Sequence, residues 1–366
     1  MGIKGLPAYL RRHAASAFVK QRTVDAVIDS LRAAHAKRTA VPNAESGSLA
    51  NERPPALNGR PPALNGRPPA VAVDVPSLFY RVMYCAPDTE AGILSFLSMF
   101  QPLRAAGVTV VFVFDNARKP NKGPERERRR ARANADRQRL AELKGMLAAT
   151  KAGPSPDQDV GAWMEAVQDA QDSHDKVAKR IDVVCPRDYT VLDVVMTACG
   201  YTTWLARDEG EAAAAYLYKT GQVDGVISDD FDVLPLGVGL FIRNYGNYYD
   251  HKRVCEAVYL NAVLRAIQLP FDQFLQMCVL CGSDFTEHLK GMGPVKARKT
   301  LGIYKDLKTY FGSAEYRATY GGGPPFEYKT ALFQFEHPEQ PVLSLPALLT
   351  VYGRVAQRLW DAKGRK

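Results

Sequence analysis

Cysteine is scarce and scattered. The 366-residue chain holds six (Cys85, Cys185, Cys199, Cys255, Cys278 and Cys281), spread through apolar segments. That excludes a small disulfide-stapled scaffold and fits free thiols in a reducing compartment. Cys278 and Cys281 have zinc-like spacing, but no second pair of cysteines or histidines accompanies them. No apolar run reaches the roughly 18 residues of a membrane helix, and the first residues lack a signal-peptide pattern, so neither a membrane partner nor secretion is expected. Leu6 stands where a myristoylation signal wants Ser or Thr. Gly-rich phosphate loops of the P-loop or dinucleotide kind are missing too. Asp74-Val75-Pro76 does not supply the Asp-x-Asp of a phosphatase nucleophile motif.

Charge of one sign is in excess. Lys and Arg number 48 against 39 Asp and Glu, a formal net charge of +9. Such a balance favours a polyanionic partner, nucleic acid before membrane surface. Against that background the acids gather in a few places. Residues 209–237 (EGEAAAAYLYKTGQVDGVISDDFDVLPLG) read as an acidic turn, an Ala-rich helix, a loop, a buried strand and a second acidic turn. Gly225-Val226-Ile227 is β-branched and too short for a helix, which predicts a central strand. Asp229, Asp230 and Asp232 then follow its carboxyl end, where open α/β sheets place their crevices.

Two other apolar runs end the same way. Val71-Ala72-Val73 runs into Asp74, and residues 108–114 (VTVVFVF) run into Asp115. Near-continuous apolar character marks strands covered on both faces. As neighbours in one parallel sheet, these strands bring several carboxylates to one rim. Like charges that close raise one another's pKa unless a cation sits between them. A divalent metal answers this, because Mg²⁺ takes hard oxygen ligands from a few carboxylates and keeps several waters. Glu209 and Glu211, two apart, would diverge by about 200° on a regular helix. They face one site only in an extended or first-turn conformation, which helix onset at Glu211 allows.

The remaining segments frame that rim. Ile3, Leu6, Tyr9 and Leu10 are too apolar for a loose tail and predict a terminus tucked against the core. Residues 23–37 suggest a helix. Arg53-Pro-Pro-Ala-Leu-Asn-Gly59 repeats from Arg60, and a third copy starts at Arg67; a Pro/Gly repeat this short reads as an extended, disordered insert over 42–70. Tyr80, on the helix after Asp74, reads as core on general grounds. Residues 118–144 carry eleven Lys or Arg against four acids. A cationic helix beside a metal crevice neutralises phosphates and steers a polyanion inward, with Lys122 and Arg129 the best phosphate contacts and Arg126 and Arg130 beside them. Residues 163–181, 187–200 and 271–280 read as helices, residues 201–205 as a strand, and Leu240-Phe241-Ile242-Arg243 as an edge-like strand. Gly291-Met292-Gly293-Pro294 is a tight hairpin between helices, whose backbone amides, with Lys296, Arg298 and Lys299, make a phosphate site. The chain beyond residue 310 reads as helical and basic at its end.

These motifs together resemble the flap endonucleases and their XPG-like relatives. The likeness is carried by Gly2-Ile3-Lys4-Gly5-Leu6, Ala72-Val73-Asp74, Val113-Phe114-Asp115 and Glu209-Gly210-Glu211-Ala212. It continues through Ser228-Asp229-Asp230-Phe231-Asp232 and Gly282-Ser283-Asp284-Phe285 to Gly291-Met292-Gly293-Pro294. The resemblance implies a PIN/5′-nuclease-like α/β fold: a mostly parallel central sheet flanked by helices, with a helical arch and a helix–two-turn–helix element. It implies metal ligands at Asp74, Asp115, Glu209, Glu211, Asp230, Asp232 and Asp284, and arch residues at Lys122 and Arg129, seven and fourteen beyond Asp115. It further implies a base-stacking Tyr80, a DNA-facing Gly2, two Mg²⁺ ions with Mn²⁺ able to substitute, and K⁺ at the helix–two-turn–helix. Asn116 and Gly210 depart from the family pattern, where Gly and Ala or Cys respectively are common; neither removes a ligand.

The expected organisation is a nuclease region over 1–115, a helical arch over 116–184, a second nuclease region over 185–320 with the hairpin motif at 274–303, and a helical extension over 321–366. The expected activity is metal-dependent cleavage at 5′ flaps or 5′ ends of branched duplex DNA. A catalytically inactive DNA-binding member, a 5′–3′ exonuclease or a junction resolvase are the alternatives. No clamp-binding ending is recognisable, so docking on a sliding clamp is not expected. A monomer is expected, located inside the cell: nuclear in a eukaryotic cell, cytoplasmic for a viral protein.

Overall fold

Strands buried on both faces build the sheet. The structure, a computed structural model, describes residues 3–21, 23–39, 67–115, 123–154, 159–181, 184–246, 255–283, 286, 289–322 and 327–343. In chain order the strands are β1 (Phe18–Lys20), β2 (Ala70–Asp74), β3 (Thr109–Phe114), β4 (Thr202–Leu205), β5 (Gly225–Ile227), β6 (Leu240–Arg243), β7 (Glu256–Tyr259) and β8 (Val342–Leu343). They form one sheet in the order β1-β7-β6-β5-β2-β3-β4-β8. The five central strands, β6 to β4, are parallel, while β7, β1 and β8 join antiparallel.

Side chains alternate faces along a strand. Ala70, Ala72, Val111 and Val113 enter one core with the helices Leu6–His13, Gly210–Lys219 and Phe271–Cys281. Val71, Val73, Val110 and Phe112 enter the other, with the helices Val75–Cys85 and Thr89–Ala105. Phe112 meets Phe100 edge-on at 5.0 Å and Phe96 at 6.1 Å. Each such ring buried contributes about 1.5–3 kcal/mol before its ordering cost. The helix Thr89–Ala105 starts where Asp88 accepts a hydrogen bond from the Ala91 amide at 2.7 Å, a side-chain cap worth about 1 kcal/mol.

Three expectations change. Leu240–Arg243 is interior, hydrogen-bonded to β5 on one side and β7 on the other; the short Glu256–Tyr259 run covers the side taken for an edge. Residues 67–70, assigned to the insert, lead directly into β2, with Ala70 its first residue and Arg67 gripping Asp224 through two hydrogen bonds of 2.8 and 2.7 Å. Beyond residue 310 the chain is not all helical, since Val342–Leu343 pairs with β4. The repeat copies beginning at Arg53 and Arg60 and the segment 344–366 lie outside the described residues.

The basic excursion forms two helices, Gly123–Lys151 and Val160–Ile181, packed together through contacts such as Trp163 Nε1 donating to the Thr150 carbonyl at 2.7 Å. Among the described residues, no helix is long and apolar enough to cross a membrane.

Candidate active site

The parallel strands end at a common rim, and their last residues carry the acids. Asp74 closes β2 and is 3% exposed. Asp115 directly follows β3. Glu211 lies in the first turn of the helix Gly210–Lys219, with Glu209 as its N-cap in an extended conformation. Glu209 is thus extended and Glu211 in the first turn, the conformations in which the two can face one site. Asp74, Asp115 and Glu211 each offer a carboxylate oxygen, and these oxygens all lie within 4.8 Å of one another.

Neighbours hold this group in place. Asp74 Oδ2 accepts hydrogen bonds from Ser228 Oγ at 2.7 Å and Ser77 Oγ at 3.0 Å. Asp115 Oδ1 accepts from the Gly210 amide at 2.7 Å. The approach is close: a Cβ at position 210 would stand 2.8 Å from both Asp115 Oδ1 and Asp74 Oδ1. Burial pushes the Asp74 carboxyl up to about 7, the Asp115 charge adds to this, and the two serine hydrogen bonds oppose it. Glu211 is raised well above the carboxylate range, by burial first and then by Asp74, Asp230, Glu209 and Asp115. Carboxylates crowded this way raise one another's pKa, and a cation bound among them would relieve that cost. The donor set is hard oxygen throughout, which fits Mg²⁺.

The other expected residues fall as follows. Asp230 bears on Asp74 and Glu211 electrostatically, and its Oδ1 accepts from the Asp232 amide at 3.1 Å. Asp232 Oδ1 accepts the Ile3 amide at 2.7 Å, tying the chain's start to the rim. Asp229 turns aside to Arg81 at 3.1 Å and the Asn244 amide at 2.8 Å. Tyr80 is 46% exposed, so the core reading fails; it sits on the outward side of a helix whose inward side is Leu78 and Phe79. Asp284, Gly2 and Lys122 lie outside the described residues, and of Arg126, Arg129 and Arg130 the structure describes only that they fall on the helix Gly123–Lys151.

Gly291 turns with φ +76°, and Gly293 caps the helix Pro294–Tyr304. Lys296 and Lys299 are exposed there, whereas Arg298 turns inward to donate to the Ile267 carbonyl at 2.8 Å. This hairpin is bolted to the rim through the N-terminal segment. Lys4 N donates to the Gly282 carbonyl at 3.4 Å, and Gly5 packs against Pro294. Sequence reasoning missed Ser77, Ser228 and the Gly210 amide. Ser77 stands three residues after Asp74, a spacing that brings a hydroxyl back to the carboxylate.

Residues 200–284 match the family model described as the XPG I-region. The chain is 27% identical over 236 residues to flap endonuclease 1 of Leishmania braziliensis, covering 64% of this chain and 53% of that protein. It is 25% identical over 252 residues to flap endonuclease 1 of Caenorhabditis elegans, covering 69% and 60%. The chain thus spans little more than half the length of the curated relatives it matches. Its fold is similar to the catalytic core of Rad2 in complex with DNA substrate, with TM-score 0.50, 18% identity, and coverage of 81% of this chain and 88% of that one.

Proposed function

We propose that this chain, which belongs to the flap endonuclease/XPG-like family, is a metal-dependent phosphodiesterase that cuts branched DNA at 5′ flaps or 5′ ends. The observation that carries this is the meeting of Asp74, Asp115 and Glu211, whose carboxylate oxygens lie within 4.8 Å of one another at the sheet's rim. These three would hold one Mg²⁺ with Glu209, while Asp230, Asp232 and Asp284 serve a second ion or its waters. Bound there, the ions would supply an acidified water and charge neutralisation at the phosphate.

The chain's own residues do the rest. Ser77 and Ser228 fix the rotamer of Asp74, and the Gly210 amide fixes Asp115. Lys122 and Arg129 offset charge on the scissile phosphate, an effect that grows in the transition state. Tyr80 offers a face to an unpaired base. Gly2 contacts the DNA. Arg126 and Arg130 hold the single strand within the arch. The amides around Gly291 and Gly293, with Lys296 and Lys299, grip the duplex, and a K⁺ held by that turn would add positive charge there; Arg298 supports the turn from within. The protein acts as a monomer without docking on a sliding clamp.

The test is cleavage of a panel of flap, nicked, gapped and four-way DNA substrates in Mg²⁺ or in EDTA. Cutting near the flap base in Mg²⁺ alone is expected, and Glu211→Gln should lose cutting while still binding the junction. Full activity of Glu211→Gln, or of the wild type in EDTA, would refute the assignment.

A further inference from the structure

The helical excursion between β3 and β4 changes sign along its length. Residues 118–139 carry ten Lys or Arg against three Asp or Glu, whereas residues 140–175 carry two against seven. The basic stretch takes in the first part of the helix Gly123–Lys151. The acidic stretch takes in its last turns, the connection and most of the helix Val160–Ile181. The two helices pack chiefly on each other. At 1.5 Å per residue the 29-residue helix is about 43 Å long, so the acidic part is the far tip of the excursion. A phosphate backbone is drawn to the basic part and repelled by the tip.

The same tip leaves apolar side chains uncovered. Met146, near the end of the first helix, and Val160 and Met164, at the start of the second, are 58%, 58% and 62% exposed. The contact between the helices is closed without them, by buried Leu143 and Leu147 and by half-buried Trp163. Val160 and Met164 stand one turn apart on a shared face. Glu165, Asp169 and Asp172 are exposed beside them at helical spacing. Asp172 accepts from the Gln168 amide at 2.8 Å, and among the described residues no lysine or arginine pairs with any of the three acids. Methionine is flexible and polarisable, so it adapts to the surface that covers it.

We propose that this tip is a docking surface for a basic amphipathic helix of a partner protein. Met146, Val160 and Met164 receive the apolar side chains of that helix, and Glu165, Asp169 and Asp172 face its lysines and arginines. Charge decides the occupant. An acidic segment is repelled by the tip, while a cationic one is repelled by a chain of net charge +9 everywhere but in its few acidic regions. Docking at the tip leaves the basic part of the excursion free for nucleic acid. The inference goes beyond the nuclease reading and does not depend on cleavage.

The test uses the full chain and fluorescence anisotropy with three labelled peptides at physiological salt. One is an amphipathic helix of Leu and Lys, one replaces every Lys by Glu, and one scrambles the first so that it keeps its composition but has no apolar face. The Leu/Lys helix should bind, and the other two should bind at least about tenfold more weakly. Met146→Ser combined with Met164→Ser should weaken binding of the Leu/Lys helix about tenfold or more, as losing the central contacts of an interface does. Asp169→Lys combined with Asp172→Lys should do the same. All four positions are exposed, so circular dichroism and flap cleavage should be unchanged in both double variants. Binding indifferent to either double variant overturns the proposal, as does equal binding of the scrambled or the Glu peptide. A wild type that dimerises in sedimentation, and loses the dimer in either double variant, also overturns it, because the occupant is then a second copy of this chain.

Discussion

The two ends of β2 bury carboxylates in opposite company. At the strand's start, Asp224 is fully buried and wrapped in donors. Arg67 grips both its oxygens, His35 Nδ1 lies 3.1 Å away, Arg38 Nε lies 4.0 Å away, and the Ala70 amide donates at 2.8 Å. At the strand's end, about 13 Å on, Asp74 has two serine hydroxyls, and the charges bearing on it are Asp115 and Asp230. Both ends have paid for burying an acid, but among the described residues only Asp224 is met by arginines, Arg67 and Arg38. A buried acid alone therefore does not mark a site; carboxylates crowded against one another do.

The largest expected contrast comes from removing each acid. Asp74→Asn keeps the shape and an acceptor for the serines, so the metal-free fold should be unchanged or slightly more stable. Cleavage should nevertheless fall by about 10²–10³-fold or more, as when a transition-state charge contact is lost. Asp224→Ala should do the reverse. It leaves Arg67 and the Ala70 amide without their partner, at a cost of about 3–5 kcal/mol, while cleavage per folded molecule is retained. Urea unfolding in EDTA and initial rates in Mg²⁺ separate the two; equal stability losses would erase the distinction.

Proton linkage gives the next effect. The folded pKa of Asp74, about 7, lies above its ordinary value of 3.8, so the folded state holds a proton that the unfolded state gives up. Stability that depends on this proton is fully present below about pH 4 and is lost as pH rises through about 7. The metal-free protein should therefore weaken between those limits and level off above. Mg²⁺ competes with the proton, so saturating metal should flatten the slope. Denaturant midpoints at pH 5, 6, 7 and 8, in EDTA and in Mg²⁺, check this. A metal-free protein that gains stability over that range would show that Asp74 is not crowded by like charge.

The sequence made one end of the sheet far easier to read than the other. Asp74 and Asp115 follow β-branched apolar runs, and a short buried strand advertises its own carboxyl end. Asp224 gave no such signal, because Arg67 lies 157 and His35 189 positions away along the chain. Arg67 itself sits in a repeat whose composition suggested disorder. Arg243 looked like a routine strand end, and only the pairing with Glu256 across β7 shows it to be interior. The antiparallel edges β1, β7 and β8 span three, four and two residues, too few for a period of two to stand out.

The smallest effect is expected at Gly210. A methyl group there would meet the Asp74 and Asp115 oxygens at 2.8 Å, closer than atoms tolerate. Both atoms are the free ends of side chains, so they can swing away rather than force the backbone. Helix propensity favours Ala over Gly by about 1 kcal/mol, which offsets part of that displacement. Gly210→Ala should therefore leave stability within about 1 kcal/mol of the wild type and preserve cleavage. What should move is the Mg²⁺ concentration for half-maximal rate, by less than about tenfold, or 1.4 kcal/mol, because the displaced oxygens are the proposed ligands. If the substitution instead unfolds the protein while Mg²⁺ dependence in surviving molecules is unaltered, the glycine serves the packing of the helix onto β2 and β3 and has no part in setting the carboxylate cluster.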